Sequence, residues 1–330
     1  MPVTKKRLAQ KPLLLQNHTL YDKIALMKKL LLLLPLFIVL AACSNTTTYD
    51  DTSPLRIGLM PTMDSVAIAT AYELGFFAEL RLEIELIPFS SARDRDAAFI
   101  AGALDGATVD LIAVGLFNEG GFPARATSIT TAHFTLIGQS NYQNMIDLNN
   151  KTVLISNNTA IDFVLDQMLV YYELPHDYLI RTEVGNIPAR FEMVRTGGAE
   201  AALISEPFAT MAVADGLSVI TDTFQIDFNP FALAFTLDVV ENRHADLQAF
   251  YVAYNQAVDY LNNNPIETHL DVIIDLIGFP EAIIDYITLP TFLRAQVPTL
   301  DIAAIAHEWL IGRDLINPET EIENFIFEVR

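Results

Sequence analysis

From residue 55 onward, short apolar runs alternate with segments whose apolar positions recur every three or four residues. Runs of the first kind read as buried strands, and segments of the second kind as helices. The pattern predicts a strand at 55–59 and a helix at 66–74 that Gly75 ends. A strand at 82–87, a helix at 92–103, a strand at 105–109 and a helix at 111–118 follow. Gly120, Gly121 and Pro123 mark a turn. The run 127–137 is long and β-prone, and is expected to cross from one domain to another.

The alternation then repeats, with strands at 152–155, 179–184, 201–204 and 217–220 and helices at 161–172, 189–195 and 207–215. Each half contains a helix end, a glycine (Gly102, Gly198), an acidic residue (Asp105, Glu200) and a strand of small residues ending in polar ones. Such alternation implies a mainly parallel sheet in each half, flanked by helices, an α/β architecture. The run 231–236 reads as a returning strand, and 244–262, 267–277, 281–287 and 302–311 as a helical tail packed on the first half. The expected lobes are 54–137 with 231–330, and 138–230.

The N-terminal region carries a different pattern. Met27-Lys28-Lys29 precedes thirteen almost wholly apolar residues, 30–42, and the run closes on Leu40-Ala41-Ala42-Cys43. A basic head, an apolar stretch and small residues before a cleavage point make a secretory signal. As a helix the stretch would span about 20 Å, short of the roughly 30 Å of a bilayer core. Small residues directly before cysteine resemble the bacterial lipoprotein box, in which the thiol carries diacylglycerol. The chain is therefore expected to be exported, cut before Cys43 and anchored through it to the cell membrane, facing the periplasm or the exterior. Residues 43–53 are polar and read as a flexible tether. Residues 1–26 are polar and basic and precede a second start at Met27, as expected of a start codon placed too early.

Composition narrows the partners. Of the chain's 20 Lys/Arg, seven lie in 1–42, but only one of its 41 Asp/Glu does, so the rest carries a formal −27 with Lys151 as its one lysine. Such a surface repels nucleic acid and anionic headgroups. Cys43 is the single cysteine, which excludes a disulfide, a thiolate metal site and a cysteine nucleophile. An apolar fraction of 52% fits large buried sheets covered on both faces.

Three stretches carry a resemblance: Arg56-Ile57-Gly58-Leu59, then Tyr72-Glu73-Leu74-Gly75-Phe76-Phe77, then Leu82-Glu83-Ile84-Glu85. Together with Ser205-Glu206-Pro207-Phe208 they look like the solute-binding lipoproteins of ABC importers. The group that they resemble takes up nitrate, alkanesulfonates, taurine and thiamine-precursor pyrimidines. The resemblance implies the two-lobed type II periplasmic-binding-protein fold, with a small-molecule solute in the cleft. It also implies a monomer that delivers the solute to a membrane permease with its ATPase, with no cofactor and no catalytic activity. Fold alone does not fix the ligand.

In open α/β sheets ligands sit beyond the carboxyl ends of the strands, where helix N-termini offer free N–H groups. In the first half this points to Thr62, Met63, Asp64 and Ser65 after the first strand, with a helix cap as the duller role of Asp64 or Ser65. Ser90, Ser91 and Arg93 follow the second strand, Ser91 and Asp94 having capping-box spacing. Thr108 and Asp110 end the third. In the second half the candidates are Asn157, Asn158 and Thr159, with Asn158 as the expected cap, then Asn186 and Ile187, then Ser205 and Glu206. Asp64, Asp110 and Glu206 face one expected cation, Arg93. That balance favours a nitrogen-containing donor such as a pyrimidine over a sulfonate, taurine or nitrate.

No H-E-x-x-H, G-x-S-x-G or phosphate loop is present, and no metal site is expected. His133 lies on the expected crossing strand, within reach of the cleft, though a packed or surface role is the expected one. Fungal relatives of the pyrimidine-binding branch are enzymes with a cysteine-rich iron motif, which this chain lacks. A two-lobed enzyme and an extracellular sensor lipoprotein remain as alternative readings.

Overall fold

The structure is a computed structural model that describes residues 53–329. The expected signal region at 1–42, the lipidation at Cys43 and all but the last residue of the tether lie outside the described residues. In chain order the first part runs β1 (Leu55–Leu59), a 3-10 turn (Met63–Ser65), α1 (Val66–Glu73), α2 (Phe76–Glu79), β2 (Ile84–Pro88), α3 (Ala92–Ile100), β3 (Gly106–Asp110), α4 (Leu111–Glu119) and β4 (Ala124–Ile129). The second part runs β5 (Phe134–Gly138), β6 (Thr152–Ile155), α5 (Ala160–Tyr171), β7 (Ile180–Glu183), α6 (Ile187–Arg195), β8 (Ala201–Ser205), α7 (Phe208–Ala214) and β9 (Ser218–Asp222). The chain returns through β10 (Phe231–Thr236) to α8 (Leu237–Asn242), α9 (His244–Asn263) and α10 (Leu300–Gly312).

Two five-stranded sheets result, ordered β2-β1-β3-β10-β4 and β7-β6-β8-β5-β9. The orders correspond position by position. In each sheet one strand is reversed: β10 is antiparallel to β3 and β4, and β5 to β8 and β9. The other pairings are parallel, as the alternation of strand and helix requires.

The run expected to be one crossing strand, 127–137, is two strands in different sheets. Phe134 pairs with Ser205 in the second sheet, whereas Ile129 pairs with Ala232 in the first. The chain crosses at 130–133, so 134–137 belong to the second lobe and not the first. Thr130 and Thr131 are β-branched and hide the break in the sequence. Loop partners hold some of their polar groups instead: the Thr131 hydroxyl accepts from Leu293 N at 2.7 Å, and the Asn229 amide donates to Thr130 O at 3.0 Å, while the Thr130 hydroxyl has no partner among the described residues. The return crossing is 223–230.

Each sheet is covered on both faces. Along β10, Leu233 and Phe235 pack under α1 and α9, while Ala232 and Ala234 face α4 and α10, the period of two expected of a buried strand. In the second sheet Val153 and Ile155 pack on α5, and Leu154 packs toward α6 and α7. The expected tail helices 267–277 and 281–287 shrink to single turns, a π-type one at Val272–Leu276 and a 3-10 one at Glu281–Ile283. Gly278, at φ 82, and Pro280 stop propagation between them. Their apolar side chains, Ile273, Phe279 and Ile283, still join the core under α9. Among the described residues no helix is long and apolar enough to cross a membrane.

Candidate functional site

The carboxyl ends of β1 and β3 face those of β6 and β8 across a crevice of about 620 Å³, its open mouth included. Its floor is apolar and comes from the first crossing and the strand starts that follow the two crossings: Ala132, Phe134 and Phe231, the two rings meeting edge to face at 4.6 Å. The polar walls differ in character.

On the first-sheet side the loop after β1 supplies Thr62, Met63 and Asp64, and β3 ends at Asp110. Thr62 donates a hydrogen bond to the Asp64 carboxylate. Asp110 caps α4 by accepting from Ala113 N at 2.9 Å. Both carboxyls are buried, and burial raises both above the usual carboxylate range, Asp110 to about 6. Arg95 on α3 is buried against them and partly offsets the rise. Its guanidinium is already engaged, donating to Asp96 at 2.7 and 2.9 Å and to Thr108 O at 2.9 Å.

On the second-sheet side stand Ser156, Thr159, Ile187, Arg190 and Ser205. Thr159 caps α5, accepting from Ile161 N at 3.2 Å and donating to Ser156 O at 2.7 Å. Arg190 is 1% exposed and donates to Val184 O at 2.9 Å. No carboxylate forms an ion pair with it among the described residues, and burial lowers its pKa to about 10. Three buried polar atoms of lining residues have no hydrogen-bond partner among the described residues: Arg190 Nε, Ser205 Oγ and His133 Nδ1. Buried groups of this kind are normally satisfied, so each is open to a ligand atom.

The crevice thus gathers Thr62, Met63, Asp64, Asp110, Thr159, Ile187 and Ser205 from the expected set. The remaining candidates sit elsewhere. Ser65 and Thr108 are fully buried behind the wall. Ser91 is the cap of α3, accepting from Asp94 N at 3.2 Å, and Ser90 is exposed beside it. Asn157 and Asn158 are exposed; the cap expected at Asn158 is Thr159, and Asn158 instead takes a left-handed φ of 56°. Asn186 is the exposed cap of α6, accepting from Ala189 N. Arg93, the one cation expected in the cleft, is exposed and pairs with Glu183 of the other lobe at 3.4 Å. Glu206 lies outside the crevice lining, 3.9 Å behind the His133 ring.

The two lining arginines were not among the candidates, yet the sequence carries a signal for each. Arg190 falls on the stripe Ile187, Phe191 and Val194, all of them buried, and Arg95 lies four residues before Phe99 on one helical face. An arginine on an apolar stripe must be buried with a purpose or kept out by a bend. Among the described residues no group of three or more potential ligands could hold a metal ion.

This geometry, two lobes with a crevice at their strand ends, has known counterparts. Residues 49–143 match the NMT1-like family. The aliphatic sulphonate binding protein SsuA from Escherichia coli superposes with a TM-score of 0.70 at 17% identity, over 84% of this chain and 94% of that one. The alkanesulfonate-binding protein SsuA from Xanthomonas axonopodis pv. citri, bound to MOPS, gives 0.71 at 14% identity over 83% and 98%. The nitrate-binding protein NrtA from Synechocystis PCC 6803 gives 0.66 at 15% over 82% and 83%. No curated protein sequence matches the chain. The fold is that of the type II periplasmic binding proteins, as the sequence motifs imply.

Proposed function

We propose that the chain is the solute-binding component of an ABC importer, capturing a small dipolar solute and passing it to a membrane permease. On this reading it acts without catalysis and is held at the membrane by lipid on Cys43. The observation that carries the reading is the split of charge across one crevice. Asp64 and Asp110 face it from one lobe, and Arg190, which forms no ion pair among the described residues although the Glu183 carboxylate acts on it, faces it from the other. Carboxyls accept from an amine, and a buried guanidinium donates to an anionic or strongly accepting group. The apolar floor suits a short carbon body between them. The sequence-based preference for a nitrogen-bearing solute is retained for the acidic wall, while Arg190 adds an acceptor at the far end.

The test is a thermal-shift panel of taurine, methanesulfonate, nitrate and the hydroxymethyl aminopyrimidine precursor of thiamine. A ligand at ~100 times its Kd stabilises by about 2.7 kcal/mol, readily seen as a shift in Tm. Taurine, which carries both an amine and a sulfonate, is expected to stabilise most. A response to methanesulfonate and nitrate but not to taurine would favour the second reading, a simple oxyanion site, for which Arg95 and Arg190 speak. No response to any of the four would remove the capture reading.

A further inference from the structure

We infer that His133 is a solute-contacting residue that takes up a proton through Nδ1 as the solute binds, so that the crevice selects for an acceptor-bearing solute. The inference rests on the capture reading above and deepens it. His133 lies on the first crossing segment and lines the crevice. Its ring stacks on Phe224, at the start of the second crossing segment, at 4.6 Å between centroids. Both crossings therefore hold the ring's plane.

The two ring nitrogens have different surroundings. Nε2 lies 3.9 Å from Glu206 Oε1, and Nδ1 is buried without a partner. Glu206 is itself fixed, its other oxygen accepting from Thr210 N at 3.0 Å. A neutral imidazole carries one N–H and one bare lone pair, so it serves one acceptor at a time. An acceptor of the solute at Nδ1 would add a second negative neighbour to the Glu206 carboxylate that Nε2 faces at 3.9 Å, beyond hydrogen-bond distance, and that pair favours the imidazolium over the neutral ring. A solute donor at Nδ1 would leave the ring neutral.

The unpartnered groups around it favour the first case. Arg190 Nε can only donate, and the Ser205 hydroxyl is also unfilled. The charges that bear on the ring fall into two sets. Glu206, just after β8, and Asp222, at the end of β9, stabilise its charged form. Asp64 and Asp110 of the same crevice act in the same direction, and Arg95 and Arg190 oppose it. In the open crevice burial outweighs these acids and holds the imidazole below its usual value, so the ring starts neutral near pH 7. A bound anion tips the balance. Proton uptake then makes affinity fall as pH rises, by up to about tenfold per pH unit between the pKa of the free state and that of the bound state, and level off above the latter.

Isothermal titration of the chain with taurine and methanesulfonate, whose sulfonates stay ionised, tests this. Titrations run in two buffers of different ionisation heat between pH 6 and pH 8.5. The expected result is uptake approaching one proton per solute, lost in both His133→Gln and His133→Asn. In ¹H–¹⁵N spectra, ring signals absent from His133→Gln should move to imidazolium positions on adding the probe. Binding without proton uptake, or with the same uptake in both variants, overturns the inference and leaves capture intact. So does binding of the aminopyrimidine alone. Absence of binding by every member of the panel removes the capture reading and the inference with it.

Discussion

Asp110 illustrates how one side chain serves two ends. It caps α4, a role worth about 1 kcal/mol, and its burial at the crevice raises its pKa from 3.8 to about 6. A raised carboxyl binds its proton more tightly in the folded than in the unfolded state. The folded protein is therefore favoured most below pH 4, and this group's contribution declines as pH rises from about 4 to 6. A shift of roughly two units corresponds to about 3 kcal/mol lost by pH 7. Asparagine caps as well as aspartate and carries no charge to desolvate. Asp110→Asn is expected to raise urea stability at pH 7 by up to about 3 kcal/mol and to flatten its dependence between pH 4 and 6. It should also weaken taurine binding. An unaltered slope would show that Asp110 is hydrated in the folded protein and that the desolvation argument fails.

At the level of elements, close approach depends on particular small residues. A Cβ on Gly115 in α4 would lie 2.4 Å from Leu310 Cδ1 on α10 and 2.8 Å from the Phe325 ring. Gly115→Ala gains about 1 kcal/mol of helix propensity but must displace the Leu310 side-chain tip and the Phe325 ring, a strain of about 1–3 kcal/mol. A lower urea midpoint is expected, and a raised one would mean that the Leu310 and Phe325 side chains yield freely. Such contacts are invisible in the sequence, where Gly115 interrupts an otherwise apolar helix. The strands were legible because both sheets are buried on two faces: 55–59, 152–155 and 231–236 were read with the limits that the structure gives them. The break at 130–133 was not, since its threonines keep β propensity while a non-local partner, Leu293, takes the hydrogen bond. The loops of the crevice were located from strand ends alone. Which of their residues face inward was not, because Arg93 and Arg95 differ by two positions on α3 and so point about 200° apart.

The two lobes are tied at a second place, away from the crossing strands. On α5 of the second lobe, Asp162 and Asp166 meet Arg313, which follows α10, at 2.9 and 2.6 Å. Arg181 pairs with the same two carboxylates, and Trp309 Nε1 donates to Asp166 at 2.7 Å. Arg313 also lies over the Trp309 ring, 4.3 Å from its centroid. Asp162 is 1% exposed, so removing a partner leaves a charge that water cannot reach. Breaking such a buried pair costs about 3–5 kcal/mol; Arg181 remains and Arg313 is partly exposed, which lowers the expectation to roughly 2 kcal/mol for Arg313→Met. Trp309 is the chain's one tryptophan, so its fluorescence reports on this junction. With the junction intact, fluorescence and far-ultraviolet circular dichroism should lose signal at the same urea concentration, as in a single cooperative transition. In Arg313→Met the fluorescence change is expected to come first, because the lobes part there before either sheet melts. Coincident transitions at the wild-type midpoint would mean that the crossing strands alone hold the lobes together.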